Sequence, residues 1–198
     1  MPENKIAQTL IHKINHKIAK IGVIGLGYVG LPLAVEKAKA GFDVIGFDIQ
    51  DNKVVMVNRG INYIGDVIDG ELKDVVASGH LRASNDFEDL VQLDAVAICV
   101  PTPIDKYKYP NTEYIESTTR EIAQRLHQGM LVVLESTTYP GTTEEVLKPL
   151  LESTGLVCGQ DFFLAYSPER VDPGNKQYKT KNTPKVVGGV TKACTQVA

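Results

Sequence analysis

Residues 21–30, Ile-Gly-Val-Ile-Gly-Leu-Gly-Tyr-Val-Gly, join a short apolar run directly to three glycines with the spacing Gly-x-Gly-x-x-Gly. In this pattern Gly25 allows a tight turn after a strand, Gly27 lets the phosphates of a ligand approach the backbone, and Gly30 lets the following helix pack close to the strand. The N-terminus of that helix then presents unpaired N–H groups to an anion. The segment therefore predicts a strand, a turn and a helix that bind the pyrophosphate of a dinucleotide.

A second apolar segment, residues 42–47, ends in an acidic residue, Asp48. It follows the glycine pattern by roughly 20 residues, the separation that dinucleotide-binding sites require. A carboxylate here can accept hydrogen bonds from the ribose hydroxyls and would repel a 2′-phosphate, which favours NAD over NADP. The alternative is that Asp48 only begins the turn before Gln50.

Apolar runs of strand length alternate with helix-like segments along most of the chain. Strands are predicted at 21–25, 43–48, 81–83, 94–100, 130–135 and 162–165, and helices at 29–40, 51–59, 71–78, 85–92, 112–127 and 143–153. This alternation predicts an α/β fold, a Rossmann-like doubly wound parallel sheet with helices on both faces. Ile6, Leu10 and Ile14 predict a further amphipathic helix, so residues 1–17 are expected to form an N-terminal helical extension and residues 18–198 one domain.

The charge and the cysteine content exclude several classes of protein. The net charge of −3 and the pI of about 5.8 give no general basic field, so neither nucleic acid nor an anionic membrane is expected as a partner. The longest apolar run, 95–100, is too short to cross a bilayer, and a cytoplasmic location is expected. The three cysteines, Cys99, Cys158 and Cys194, are odd in number and lack paired metal spacing, which argues against a disulfide framework or a zinc site.

Polar residues follow three of the predicted strands, where ligands of such sheets bind. Thr102 lies between two prolines after the fourth main strand, Ser136 and Thr137 follow the next strand, and Glu169 and Arg170 follow the last. Glu169 could transfer a proton and Arg170 could bind a carboxylate or phosphate, although a surface salt bridge between them is the alternative. In the second of these loops, Thr142 and Glu145 have the spacing of a capping box.

Four segments together, 25–30, 100–103, 135–142 and 167–170, resemble the UDP-glucose/GDP-mannose dehydrogenase family. Ser-Pro-Glu-Arg at 167–170, followed by Asp-Pro-Gly-Asn at 172–175, is more similar to the branch that oxidises UDP-N-acetylhexosamines, the UDP-N-acetyl-D-mannosamine and UDP-N-acetyl-D-glucosamine 6-dehydrogenases. In the glucose branch a second glutamate usually stands where Pro173 is found.

The resemblance implies oxidation of the C6 alcohol of the sugar to an aldehyde and then to a carboxylate, with two NAD reduced, for surface polysaccharide biosynthesis. It implies that the cofactor contacts the glycine turn with Tyr28 and Val29, and the residues Asp48, Lys53, Pro101, Thr102, Ser136 and Thr137. The substrate would contact Glu169, Arg170 and Val171, with Glu169 and Thr137 taking part in catalysis. Glu169 would lie beside the reacting carbon.

Family members form a thiohemiacetal and a thioester on a cysteine in a Gly-Gly-His-Cys-type motif, and use a lysine and an asparagine of a later helix. Neither motif occurs in this sequence, and Cys194 has no histidine neighbour. We therefore expect an amino-terminal half that lacks the family's central helix and sugar-binding domain and is inactive alone. Family enzymes dimerise largely through that helix, so this chain is expected to be monomeric or weakly associated. The alternatives are a nucleotide-sensing Rossmann module without catalysis, or a UDP-glucose or other NAD-dependent dehydrogenase.

Overall fold

The computed structural model describes residues 4–104, 106, 109–170 and 180–198. The strands are β1 Lys20–Ile24, β2 Asp43–Phe47, β3 Leu81–Ser84, β4 Ala95–Ile98, β5 Leu131–Leu134, β6 Phe163–Tyr166 and β7 Gly188–Gly189. The helices are α1 Lys5–Asn15, α2 Gly30–Lys39, α3 Asp51–Asn58, α4 Asp69–Ala77, α5 Glu113–Arg125, α6 Lys148–Glu152 and α7 Lys192–Val197. A 3₁₀ helix spans Phe87–Gln92, and a π-helical turn, Thr143–Leu147, leads directly into α6.

The seven strands form one sheet in the order β3-β2-β1-β4-β5-β6-β7. The first six strands are parallel, and β7 runs antiparallel to β6. From β1 the chain moves outward to β3 and then returns to place β4 on the other side of β1. This reversal leaves a crevice at the carboxyl ends of β1 and β4, which is where open α/β sheets bind their ligands.

Both faces of the sheet are covered by apolar side chains. On one face α2 packs against the sheet with Leu31, Ala34, Val35 and Ala38, which recur at the spacing of one helix face. The other face carries a second cluster, which includes Phe47, Ile98, Ile122, Leu134 and Phe162. The predicted doubly wound α/β fold with helices on both faces is thus confirmed.

Helix α1 packs onto this domain. Its N-cap residue, Asn4, accepts hydrogen bonds from the N–H groups of Ile6 and Ala7, and Leu10 is buried in one of the two apolar clusters. The Lys13 ammonium lies 2.6 Å from the carboxylate of Asp94, the residue before β4. The predicted helix is therefore present, and its apolar face packs against the α/β domain.

Two features in the last third of the chain differ from the prediction. The Thr142 hydroxyl does not cap the helix that follows it; it donates to the Tyr139 carbonyl oxygen at 2.8 Å, so the predicted capping box is wrong. The short elements β7 and α7 were not predicted, because two glycines have low strand propensity and six residues show too little periodicity. Among the described residues no helix is long and apolar enough to cross a membrane.

Candidate functional site

The three glycines of the turn between β1 and α2 have three different surroundings. Gly25 has a left-handed φ of +94°, and a Cβ there would lie 2.7 Å from the Cys99 carbonyl oxygen. A Cβ on Gly30 would overlap the Gly25 carbonyl oxygen. A Cβ on Gly27 would meet nothing within 4 Å. Gly25 and Gly30 are therefore required by the turn itself, whereas Gly27 leaves open space beside the backbone.

The peptide groups of this turn are held through Leu26. The Leu26 N–H donates to Asp48 Oδ2 at 3.0 Å, and its carbonyl oxygen accepts a hydrogen bond of 2.8 Å from the Tyr63 hydroxyl. The Leu26 side chain is fully buried against Gly46, where an added Cβ would lie 2.6 Å from Leu26 Cδ2. Burial, together with the Asp48 charge, raises the pKa of Tyr63, so its hydroxyl stays protonated and can donate. Three groups thus fix the orientation of the turn.

Asp48 is buried at the carboxyl end of β2, with 7% of its surface exposed. Besides the Leu26 N–H, its carboxylate accepts hydrogen bonds from the Gln50 N–H at 3.0 Å and from Lys53 Nζ at 3.1 Å. A carboxylate offers about four acceptor positions, so it retains capacity for a ligand hydroxyl. Asp48 and Lys53 were both predicted as cofactor contacts, and their side chains form a hydrogen bond with each other in the structure. Asp48 also supports the turn through the Leu26 N–H.

A cleft of about 300 Å³ lies along the carboxyl ends of β1, β4 and β5. It brings together segments that are far apart in sequence: the glycine turn, the end of β2, the loop after β4, the loop after β5 and the loop after β6. Its lining includes the predicted residues Gly25, Gly27, Tyr28, Val29, Asp48, Lys53, Pro101, Thr102, Ser136, Thr137 and Glu169. Gly30 is buried behind the turn at the start of α2.

The hydroxyl groups of the cleft have different hydrogen-bonding states. Thr102 Oγ1 is buried and, within the described part of the chain, has no hydrogen-bond partner. Ser136 Oγ donates to the carbonyl oxygens of Ile98 and Val100, at 3.2 and 2.8 Å, so it ties the end of β5 to the end of β4. Thr137 is exposed in the cleft. Thr102 and Thr137 are therefore available to a ligand, whereas the Ser136 proton is already used by the protein.

The β5 and β6 ends of the cleft carry two carboxylates. Glu169 is half-buried and accepts a hydrogen bond of 2.7 Å from the Arg170 N–H. Glu135, which was not predicted as a site residue, is buried and forms an ion pair with Lys185. Burial raises the pKa of Glu135; Lys185 opposes this shift, and the Glu169 charge adds to it. Lys185 thus neutralises one of the two acids.

The two other predicted substrate contacts are Arg170 and Val171, and Arg170 does not line the cleft. The Arg170 side chain is exposed to solvent. Val171 lies outside the described residues, as does the Asp-Pro-Gly-Asn segment at 172–175. Cys99 is buried under the cleft, and burial raises its pKa well above the usual value. Its thiol is therefore protonated.

A second cavity, of about 410 Å³, adjoins the cleft at Gly25, Asp48 and Pro101. Its mostly apolar wall is formed by side chains that sequence analysis missed, from the end of β2, the 3₁₀ helix and the first half of α5: Ile49, Phe87, Tyr114, Ser117 and Thr118. No sequence pattern indicated this wall; the structure shows that Ile49, the apolar residue directly after the acid, is 78% exposed. The mostly apolar lining suits a planar, largely apolar ring.

The residues present fit a dinucleotide. The turn leaves room at Gly27 for a phosphate. In the first turn of α2, the Leu31 and Leu33 N–H groups already donate to carbonyl oxygens of the glycine turn and Pro32 has no N–H, so residues 28–30 are the ones that can present N–H groups to a phosphate. Asp48 can accept hydrogen bonds from ribose hydroxyls, and the buried Thr102 hydroxyl, which has no partner among the described residues, can bind a polar group of a ligand. The adjoining cavity provides a place for an adenine ring.

Replacement of Tyr63 by Phe tests whether the turn must be held for phosphate binding. Loss of the bond to the Leu26 carbonyl should weaken binding of NAD and ADP about threefold to tenfold, equivalent to roughly 1 kcal/mol. Binding of adenosine, which has no phosphate, should not change, whereas general destabilisation would affect all three ligands. Isothermal titration calorimetry would measure the affinities, with Tyr166→Phe at the end of β6 as the matched control.

Comparison with known proteins agrees with this geometry. The family model described as "UDP-glucose/GDP-mannose dehydrogenase family, NAD binding domain" matches residues 19–198. The chain is 38% identical over 180 residues to the UDP-N-acetyl-D-mannosamine dehydrogenase of Pyrococcus horikoshii, covering 90% of this chain and 43% of that protein. It is 40% identical over 176 residues to the UDP-N-acetyl-D-glucosamine 6-dehydrogenase of Pseudomonas aeruginosa, covering 88% and 41%.

Among solved structures, the NDP-N-acetyl-D-galactosaminuronic acid dehydrogenase of Methanosarcina mazei Go1 is similar, with a TM-score of 0.85 and 37% sequence identity. The match covers 96% of this chain and 42% of that one. The chain therefore spans less than half of the length of each of these relatives.

Proposed function

Because the chain belongs to the UDP-glucose/GDP-mannose dehydrogenase family, we propose that it is the NAD-binding part of a nucleotide-sugar 6-dehydrogenase. The reaction is oxidation of the C6 alcohol of a UDP-N-acetylhexosamine to the uronic acid. The observation that carries this proposal is one cleft in which the glycine turn and the Asp48 carboxylate lie at one end and Glu169 at the other. Such a cleft can hold an extended dinucleotide and present its far end to an acid.

The lining of the two cavities supports an assignment for each part of NAD. The apolar cavity beside Ile49 and Tyr114 would hold the adenine ring, and Asp48 would accept hydrogen bonds from the ribose hydroxyls. The backbone from Gly27 to Val29 would hold the pyrophosphate. Thr102 and Thr137 would contact the nicotinamide end. Each assignment follows from the donor, acceptor or apolar character of the residues present.

When bound, NAD supplies a hydride acceptor for the carbon that is oxidised. The protein residues at that end orient the reactants and handle protons. The Thr102 and Thr137 hydroxyls hold polar groups of the cofactor or substrate. Glu169 can accept a proton from a water molecule at the reacting carbon. The ion pair with Lys185 neutralises Glu135 and so lowers the negative charge beside Glu169.

The substrate class is proposed from the relatives. Both relatives described above that are named for a UDP-sugar, at 38% and 40% identity, are named for a UDP-N-acetylhexosamine. The exposed Arg170 guanidinium, beside Glu169, can bind the diphosphate of such a substrate. We place Val171 at the same substrate contact. The pathway is surface polysaccharide biosynthesis, in the cytoplasm.

The division of the chain follows the same proposal. Residues 1–17 make up a helical extension and residues 18–198 the cofactor domain, and the family's motifs for the catalytic cysteine and lysine do not occur within these 198 residues. The chain alone is then inactive and monomeric or weakly associated. A tight dimer in sedimentation at micromolar concentration would contradict this.

Titration with NAD and NADP, on the wild type and on Asp48→Asn, tests the cofactor assignment. We expect saturable NAD binding with NADP at least tenfold weaker, because the Asp48 charge repels a 2′-phosphate. Asp48→Asn should weaken NAD binding and reduce the preference for NAD over NADP. The repulsion of the 2′-phosphate is then lost, while the amide oxygen can still accept a hydrogen bond from the turn. Asp74→Asn makes the same charge change at an exposed residue of α4, and this variant should bind NAD and NADP like the wild type.

The complete enzyme tests the reaction. A protein that carries this chain together with a family sugar-binding half should produce two NADH per UDP-N-acetylhexosamine oxidised, and Glu169→Gln should reduce that rate more than it weakens NAD binding. NAD binding without oxidation of any nucleotide sugar would favour a sensing module. Oxidation of UDP-glucose in preference to its N-acetylated analogues would reject the proposed branch.

A further inference from the structure

Two of the three cysteines lie side by side in the core, although 36 positions separate them in the sequence. The Sγ atoms of Cys158 and Cys194 are 3.8 Å apart, and both side chains are buried. Cys158 belongs to the tight turn between α6 and β6, and Cys194 lies in the first turn of α7. Neither lines the cofactor cleft, so the proposed reaction gives no reason for the pair.

The contact between the two sulfur atoms depends on two close backbone approaches. Gly159, next to Cys158, faces the residue that caps α7, and a Cβ there would lie 2.5 Å from Thr191 Oγ1. Gly189, in β7, faces α7 itself, and a Cβ there would lie 2.7 Å from Cys194 Cβ. Because a side chain at either glycine would push α7 away, the tight packing of this corner requires both residues. The proximity of the cysteines is thus set by the backbone.

The two thiols are not chemically equivalent. Cys194 Sγ accepts hydrogen bonds from Thr191 Oγ1 at 3.2 Å and from the Leu164 N–H at 3.4 Å. A hydrogen bond from Cys158, supported by those from Thr191 and Leu164, lowers the pKa of Cys194, whereas the same contact and burial raise the pKa of Cys158. One sulfur is therefore disposed to be a thiolate and its neighbour to keep its proton, which are the roles of an attacking and a resolving cysteine.

We propose that Cys158 and Cys194 form a reversible dithiol–disulfide modification site whose oxidant is a small hydroperoxide. The Cys194 thiolate attacks one oxygen of hydrogen peroxide, the O–O bond breaks, and a sulfenic acid and hydroxide result. The Cys158 sulfur then attacks the sulfenic sulfur, the S–O bond breaks, and water leaves with the thiol proton. Both sulfurs together lose two electrons, and the peroxide is reduced to hydroxide and water. A small dithiol reverses the change.

Burial sets the rate and the selectivity of this modification. Cys158 is 6% exposed and Cys194 has no exposed surface, so peroxide reaches the pair only when the corner opens locally. Helix α7 has only six residues, and short helices open easily. The disulfide would close a loop that contains β6, Glu169, Arg170 and β7. Closing this loop should raise the midpoint of thermal unfolding by about 5–10 °C.

Treatment of the folded 198-residue chain with hydrogen peroxide, followed by mass spectrometry, tests the proposal. The intact mass should fall by two hydrogen atoms, dithiothreitol should restore it, and peptide mapping should show Cys158 joined to Cys194 while Cys99 can still be alkylated. Phenylarsine oxide, which bridges two adjacent thiols, should bind once per chain and block the crosslink. NAD plays no part in these measurements, so their outcome is independent of the proposed reaction.

Three variants complete the test. Cys158→Ser and Cys194→Ser should each lose the mass change and the stabilisation, whereas Cys99→Ser should keep both. A wild-type chain that gives only sulfinic acid, an intermolecular dimer or a crosslink to Cys99 would overturn the proposal. Because that result comes from the unaltered chain, it holds even if a serine variant fails to fold.

Discussion

Replacement of Gly30 by Ala should lower the free energy of unfolding by about 3 kcal/mol and the midpoint of thermal unfolding by roughly 6–12 °C. The added Cβ would overlap the Gly25 carbonyl oxygen and lie 3.2 Å from Cys99 Cβ. The neighbour is backbone rather than a flexible side chain, so α2 must move away from β1, and Leu31 and Ala34 lose part of their packing. Urea titration and calorimetric melting would measure the change.

The matched control is Gly70→Ala, the same chemical change in the first turn of α4. A Cβ on Gly70 would meet nothing within 4 Å, so this variant should be as stable as the wild type or up to about 1 kcal/mol more stable. If Gly30→Ala has the stability of the wild type, α2 packs less closely on β1 than it does in this structure.

Replacement of Gly27 by Ala should weaken NAD binding roughly tenfold to a hundredfold, or about 1.4–2.7 kcal/mol, without a comparable loss of stability. The fold has room for this Cβ, since nothing lies within 4 Å, and φ of Gly27 is outside the left-handed region. The methyl group would occupy the space through which a pyrophosphate reaches the N–H groups of residues 28–30. The substitution therefore separates binding from folding.

Calorimetric titration with NAD, alongside thermal melting of the same sample, would measure both properties of Gly27→Ala. Gly65→Ala, at another position with open space around it, is the control and should bind NAD like the wild type. If Gly27→Ala binds NAD as tightly as the wild type does, the phosphates do not lie against this turn. If both affinity and stability fall, Gly27 has a structural contact that the open space beside it does not indicate.

Much of the fold was predictable because its signals are local. The glycine turn constrains the backbone within ten residues, and short apolar strands that alternate with helices indicate a parallel sheet covered on both sides. Asp48 could be predicted as a residue of the cleft from its place after the second strand. The ends of β4, β5 and β6 pointed to Thr102, Thr137 and Glu169, because the carboxyl ends of parallel strands meet at one edge of the sheet.

The functions of particular side chains within the site were less predictable. Ser136 has the residue type and position of a cofactor contact, but its proton is donated to carbonyl oxygens at the end of β4. Tyr63 gave no signal, because its role depends on a hydrogen bond to Leu26, 37 positions earlier in the sequence. The wall of the second cavity on α5 was likewise missed, because helix periodicity indicates which face is buried, not what that face encloses.

Sequence patterns were enough to predict the fold class, the glycine turn, the acid at the end of β2 and membership of a dehydrogenase family. Each of these rests on backbone constraints or side-chain periodicity over a few consecutive residues. The folded structure was needed to show which hydroxyls remain available in the cleft, how Leu26 is held, that an apolar cavity adjoins the cleft and that Cys158 touches Cys194. Those properties depend on contacts between distant segments, and the packing of the whole chain sets such contacts.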